Sequence, residues 1–463
     1  MKNKKVLAFS MILCLIFSLF ATGCTSKTDK KANSQSVKTE GKKDDKGTNK
    51  ETNKETNKES VEIDIFQFKV EVAQALEEAA RAYEKINSNV KINIQTVGGG
   101  DDYGVALKAK FQSRQEPDIF NVGGPQDIED WMDSLEDLSD QPWVDLALPG
   151  MLSGATVDNK VYALPFNLEG YGFIYNKRIF KDAGIDGSAI KDFASLEKAV
   201  QTLDAKIKAG DLKDKYPLLE AVFEMPAKEA WVTGLHASNV VLSQEFSSSL
   251  ESYAAKEVEF KHADALQDLI DLQANYSSNP NAKEKLVAVD YATQVDEGIA
   301  IERVAIIQQG NWIYGGVADI DKEVAENLDI LPMPVKGGKE DCIPVGVPMH
   351  WSINKDSSDL KKLAAKDFLN WLYTSDEGKD FVVNKFFFIP PLQGYEHLEP
   401  QDALGKAVKR YSEEGKTTPW VFMGYPTAWG EKVLGLEIQR YLATDVTWEE
   451  IIKIAKEKWA EMR

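Results

Sequence analysis

The stretch Ala163-Leu164-Pro165-Phe166-Asn167-Leu168-Glu169-Gly170-Tyr171-Gly172-Phe173-Ile174-Tyr175-Asn176-Lys177 decides the fold. Leu164-Pro165-Phe166 reads as the end of a strand. Pro165 has no N–H to give to a ladder, which keeps that strand away from a sheet centre. Phe173-Ile174-Tyr175 reads as a second strand, ended by Asn176-Lys177. Between the two lies a polar step loosened by Gly170 and Gly172 and carrying Asn167, Glu169 and Tyr171. A carboxylate in a core strand needs a partner, so two readings fit. Either Glu169 is a solvated residue of a hairpin, or the step crosses between two lobes with Glu169 and Tyr171 facing a cleft, where ligand sites concentrate. The crossing is the expectation carried forward.

Outward toward the N-terminus, strands and helices alternate. Period-two patterning predicts a strand over 61–68 and helical spacing a helix over 72–87; strands over 89–97 and 117–122 and a helix over 103–112 are expected after them. Strand, helix, strand, helix, strand implies right-handed crossovers and a parallel sheet. Ligands bind beyond the carboxyl ends of such strands. That places Gln67, Phe68 and Lys69 after the first strand, and Asn121, Gly123, Gly124 and Gln126 after the third, on one rim. Gly98-Gly99-Gly100 lacks the Lys-Ser/Thr ending of a phosphate loop.

Outward toward the C-terminus, apolar residues three and four apart predict helices over 193–209, 227–235 and 262–274; Trp231 on the second suits packing better than ligand contact. The apolar run from Val304 hands over to Gln309-Gly310-Asn311-Trp312. Trp312 is then either a core residue or a platform for the C–H face of a sugar, with amides reaching its hydroxyls. Pro344, Gly346 and Pro348 predict a second crossing, after which Trp351 and Ile353 resume strand alternation. The segment 420–429 is rich in aromatics and turns, and Thr447-Trp448-Glu449-Glu450 is a capping box for a closing helix.

The chain opens with Lys2, Lys4 and Lys5, an apolar run over 6–21, then Thr22-Gly23-Cys24. A basic start, a short apolar core and small residues before a cut site make a secretory signal over 1–23. Ala21-Thr22-Gly23-Cys24 resembles the lipobox of bacterial lipoproteins, with Ala21 where Leu is usual. The resemblance implies lipidation of Cys24. Residues 24–60 continue as a polar tether in which Thr-Asn-Lys-Glu repeats three times from Thr48. Such a segment buries too little apolar surface to offset ordering entropy, and its r.m.s. reach is roughly 30–35 Å.

The net charge of −19 is made of +3 over 1–23, +3 over 25–60 and −25 over the rest. So acidic a body argues against a nucleic-acid partner. Its length of about 400 residues suggests two domains. Cys342 is the one cysteine of the body, which leaves no intramolecular disulfide there, and His236, His262, His350 and His397 are too scattered for a metal site. No cofactor is expected.

Read in order, the first strand and helix, Pro117-Asp118-Ile119-Phe120, the step around Glu169, Gln309-Gly310-Asn311-Trp312, 344–355 and the helix running into Thr374-Ser375-Asp376-Glu377-Gly378 resemble the extracellular solute-binding proteins of carbohydrate ABC importers, of the maltodextrin-, multiple-sugar- and raffinose-binding type. The resemblance implies an α/β, two-lobed periplasmic-binding-protein-like fold with a hinge between lobes. It implies a lipid-anchored monomer on the extracytoplasmic face that hands a sugar, an oligosaccharide, to membrane permease subunits. The expected lobes are 61–166 plus 349–386, and 167–348 plus 387–463. The expected ligand site is Lys69, Asn121, Glu169, Tyr171, Trp312, Trp351 and one aromatic from Tyr425 or Trp429, with Glu169 accepting sugar hydroxyls. The rival reading, a surface glycoside hydrolase, needs two carboxylates flanking one bond, and Glu169 is the one acid this reading places in the cleft. A structural lipoprotein would show repeats in the body, and none is seen.

Overall fold

Alternation builds the first sheet. In β1 (Val61–Gln67), Val61, Ile63 and Ile65 point inward while Glu62 and Asp64 face solvent. The helix α1 (Ala73–Ile86) lays Leu76, Ala79, Ala80 and Tyr83 on the sheet. Strands β2 (Val90–Thr96) and β3 (Ile119–Val122), separated by α2 (Tyr103–Gln112), flank β1, both parallel to it. After α3 (Pro125–Trp131) and a small hairpin of β4 (Thr156–Val157) and β5 (Lys160–Val161) comes β6 (Leu164–Pro165); a strand from later in the chain, β12 (His350–Ile353), lies antiparallel between β3 and β6, and the sheet order is β2-β1-β3-β12-β6. Pro165 thus sits on an edge strand, where its missing N–H costs no ladder bond. The computed structural model describes residues 59–99 and 101–463; the expected signal segment, Cys24 and the tether up to residue 58 lie outside the described residues.

Four residues after Pro165 the chain enters a second sheet. Its central strand β7 (Glu169–Asn176) is buried throughout. Around it lie β8 (Ala221–Phe223), β9 (Val304–Gly310), β10 (Leu328–Leu331), β11 (Ile343–Gly346) and, beyond a return to the first sheet in β12 (His350–Ile353), β13 (Thr417–Pro419), in the order β13-β11-β7-β9-β8 with β10 also on β7. The chain therefore passes between sheets at 166–168 and again at 347–349. Gly170 and Gly172, just beyond the first passage and inside β7, do not loosen the chain: they let neighbours approach. A Cβ on Gly172 would lie 2.4 Å from the Leu331 carbonyl oxygen, and one on Gly170 would lie 2.8 Å from the Val408 side chain.

Each sheet has apolar packing on both faces. Ile63, Leu76, Trp143, Phe166, Phe368 and Leu369 fill one side of the first, and Phe66, Phe120, Val122 and Ile128 the other. On the second, Tyr171, Phe173 and Tyr175 pack with Leu196, Leu266 and Trp459, while Ile174, Ile307, Ile330 and Leu404 fill the opposite face. Burial of one such side chain stabilises by roughly 1.5–3 kcal/mol. The segment from 386 onward serves both sides: Phe388, Leu392 and Tyr395 belong to the first core, Phe387 and Ile389 to the second.

One helix differs from expectation. The helix expected over 227–235 starts at Ala230, widens into a π-turn at Val232–Ala237 and continues as Ser238–Leu242. A second π-turn, Trp429–Gly435, faces it. The cause is backbone contact: a Cβ on Gly234 would lie 1.9 Å from the Gly430 carbonyl oxygen. Such bulges disturb helical spacing and cluster at functional sites.

Candidate functional site

Strand register sets the site. Glu169 at the start of β7 pairs with Gly346 of β11, and one residue beyond the Val345–Pro419 pair the same row reaches Trp420. Side chains two apart on a strand share a face, so Tyr171 stands beside Glu169, paired with Gly310 of β9. The face carrying Glu169, Tyr171, Trp420 and Trp312 ends where the chain crosses to the other sheet.

Across that gap, the loop after β1 supplies Lys69. Gln67 fixes it, accepting from the Lys69 N–H at 2.6 Å and donating Nε2 to the Lys69 carbonyl at 3.0 Å. The Lys69 Nζ then meets Glu169 Oε1 at 2.5 Å, with both side chains only 4% exposed. Burial pulls against the ammonium, yet Glu169 and Glu71 hold it above the ordinary lysine value. Asn167 Nδ2 donates to the same Glu169 oxygen at 3.2 Å. The two sheets are thus joined at the cleft floor by a buried, charge-assisted contact, which is the strong kind.

Aromatic rings adjoin this pair. His236 lies flat on Tyr171, ring centres 4.3 Å apart. Trp312 is tilted 5.4 Å from His236 and 6.3 Å from Trp231, and donates its Nε1–H to Gln309 at 2.9 Å. Trp231 and Trp312 are half-buried, whereas Tyr171 is fully covered and donates its hydroxyl to the His236 carbonyl at 2.9 Å. Tyr171 is therefore the layer beneath the site rather than its surface. Burial lowers His236 to about 3, so the ring is neutral at ordinary pH. Glu229 braces the cluster, accepting from Trp231 Nε1 at 3.0 Å and from the Tyr291 N–H at 3.1 Å. Burial raises the carboxyls of Asp127 and Glu431, with the Asp102 and Asp127 charges adding to the rise at Glu431.

Three expected site residues are placed elsewhere. Trp351 shares the core face of β12 with Ile353, stacks on Phe166 at 4.3 Å and donates its N–H to the Tyr373 hydroxyl. Trp429 follows Ala428, whose φ of 62° turns the chain inward; its ring meets Trp459 edge-on and its N–H donates to the Ala455 carbonyl at 2.8 Å. Tyr425 packs against both tryptophans, with its hydroxyl 3.2 Å from Ser238 Oγ. All three have their polar atoms satisfied inside a core, which leaves nothing to offer a ligand. Asn121 is at the rim, but its amide is used: the oxygen accepts from the Phe68 N–H at 3.2 Å and Nδ2 donates to the His350 carbonyl at 3.4 Å. Lys69, Glu169 and Trp312 are the expected residues brought to the gap. His236, Trp420, Asn167 and Glu229 were missed. Their signal was faint: a polar residue in an apolar helix, one aromatic among several, an amide in a turn. Among the described residues no group of three or more His, Cys, Asp or Glu is placed to hold a metal ion.

Two α/β units, crossed by the chain and meeting at a polar-aromatic gap, make a two-lobed binding fold. The family model for bacterial extracellular solute-binding proteins matches residues 69–379, and the chain belongs to that family. It is 27% identical over 241 residues to an uncharacterised ABC transporter extracellular-binding protein of Pyrococcus horikoshii; the match spans about half of each chain, 49% of this one and 49% of the relative. It is 21% identical over 326 residues to the multiple sugar-binding protein of Streptococcus mutans, covering 68% of this chain and 71% of that one. A solved chitin oligosaccharide binding protein superposes with a TM-score of 0.70 at 23% identity, over 87% of this chain and 99% of the other.

Proposed function

We propose that this protein captures an oligosaccharide between its two lobes and delivers it to the permease of an ABC importer. One observation carries the reading: the Lys69–Glu169 pair lies beside the Trp231–His236–Trp312 cluster in the gap between the sheets. Tryptophan faces suit the C–H faces of sugar rings, and a carboxylate accepts hydroxyl protons in charge-assisted bonds. The sugar-binding names of the Streptococcus mutans relative and the chitin oligosaccharide binder support the ligand class. Lys69, Glu169 and Trp312 are the contacting residues, with Asn121 holding the rim.

Residues 61–166 with 349–386, and 167–348 with the chain after 395, move as the two lobes, and 387–395, which packs into both cores, joins them. They hinge at 166–168 and 347–349 and close on ligand. The protein binds the sugar without cleaving it, because hydrolysis needs a free acid and base pair and Glu169 is occupied by Lys69. Lipid on Cys24 holds a monomer outside the membrane, within reach of the permease. A thermal-shift screen tests the ligand class: a saccharide present at 100 times its dissociation constant stabilises by about 2.7 kcal/mol. A panel of neutral oligosaccharides that leaves the midpoint unmoved refutes it.

A further inference from the structure

Trp420 is 5% exposed, yet its indole Nε1 meets no hydrogen-bond partner among the described residues. Three other buried tryptophans differ: Trp351, Trp429 and Trp459 donate to Tyr373, Ala455 and Ala255. An unmade bond on a buried donor costs about 1–3 kcal/mol, so buried polar groups are nearly always paired. The exception here sits at the cleft floor. Trp420 follows β13, in register with Gly346 and, through it, Glu169. Gly346 is what lets the ring lie there: a Cβ at that position would come within 2.5 Å of Trp420 Cγ. The ring centre is 5.5 Å from Tyr171 and 5.7 Å from His236, within the same aromatic cluster.

A second unpaired group lies in the same passage. Asn167 is 1% exposed and its Oδ1 accepts no hydrogen bond among the described residues. Its orientation is set by chemistry, because the opposite end must donate to the Glu169 carboxylate, which only an NH2 can do. The passage therefore holds an unused donor, Trp420 Nε1, and an unused acceptor, Asn167 Oδ1. Sugar hydroxyls both donate and accept.

We propose that Trp420 and Asn167 are ligand-binding residues at the hinge end of the cleft, the indole N–H donating to a saccharide oxygen and the amide oxygen accepting a saccharide hydroxyl. This rests on the oligosaccharide reading above. It also makes ligand the group that satisfies two atoms that the fold by itself leaves unpaired. The consequence is specific: removing the N–H harms binding but not folding.

The test is Trp420→Phe, which keeps an aromatic ring and deletes the donor, alongside Asn167→Ala. Raffinose, stachyose, maltotriose and chitotriose are screened against wild type by thermal shift, and the best binder is titrated calorimetrically into all three proteins. Trp420→Phe is expected to bind roughly fivefold to tenfold more weakly, the loss of one hydrogen bond, with affinity read per folded molecule and circular dichroism as the folding control. Asn167→Ala is expected to weaken binding by a similar factor. Equal affinity of wild type and Trp420→Phe overturns the assignment while leaving the sugar reading intact. A panel with no binder to wild type refutes the sugar reading, and this assignment falls with it.

Discussion

Lys69→Met removes one partner of the pair at the cleft floor and leaves the other buried. Glu169 then keeps a single neutral donor, Asn167 Nδ2 at 3.2 Å, in place of an ammonium at 2.5 Å. Both charged side chains are 4% exposed, so solvent takes over little of the lost interaction. Breaking a buried pair from one side costs about 3–5 kcal/mol, mostly the desolvation of the survivor. Glu169→Gln strands the ammonium in the same way and should cost a similar amount, softened by Glu71 at 4.0 Å. The double variant Lys69→Met/Glu169→Gln leaves no buried charge and should recover about 2 kcal/mol or more of the summed single losses. Urea unfolding of all four proteins at pH 7 closes the cycle, and 0.5 M salt should change the coupling little, because buried pairs are weakly screened. Single losses below about 1 kcal/mol with no coupling would mean a solvated pair, and the closed geometry at the cleft floor would be wrong.

Four further outcomes follow from particular contacts. Trp429→Ala should destabilise by about 3–5 kcal/mol, as large core truncations do, with ligand affinity per folded molecule unchanged; urea unfolding and titration read the two effects separately. His236 and His350 are lowered by burial to about 3 and about 4, below the 6.5 of an exposed ring. Between pH 6.5 and those values the unfolded chain binds more protons, so stability falls with pH. The loss from pH 7 to pH 5 is about 2 kcal/mol per histidine, opposed by the raised carboxyls of Asp127 and Glu431; His236→Asn should flatten the slope. Gly346→Ala drives a methyl into Trp420 and should cost about 1–3 kcal/mol by overpacking, visible as a lower melting midpoint. Cys24→Ala should move the protein from the membrane fraction to the soluble fraction without altering affinity, and retention at the membrane would refute the lipid anchor.

The crossing at 166–168 was legible because three signals agreed there: a proline that had to sit at an edge, a carboxylate with no local partner, and a strand that restarts at once. The parallel β2-β1-β3 part of the first sheet was legible for a similar reason, since β1 and α1 repeat at the period their structure demands and strands and helices alternate after them. What could not be read was which way an aromatic faces. Trp351 and Trp312 both follow buried strands near polar, glycine-containing turns, but β12 alternation turns Trp351 into a core and the turn after Gly310 leaves Trp312 half-buried. His236 was lost because a π-turn breaks the spacing that helical reading relies on, and the helix was expected to stop one residue before it. The partner of Glu169 lies one hundred residues away. Lys69 was placed on the right rim, but no spacing rule joins it to Glu169 across two sheets.

The central claim is that a neutral oligosaccharide binds on the face carrying Glu169 and Trp312. Its most direct test is calorimetric titration of the best-binding saccharide into wild type and Trp312→Ala side by side, with circular dichroism as the folding control. The account predicts one saccharide per wild-type chain and, for a folded Trp312→Ala, affinity reduced roughly thirtyfold, the loss of about 2 kcal/mol from a buried aromatic anchor. Equal affinity in the two proteins would contradict it.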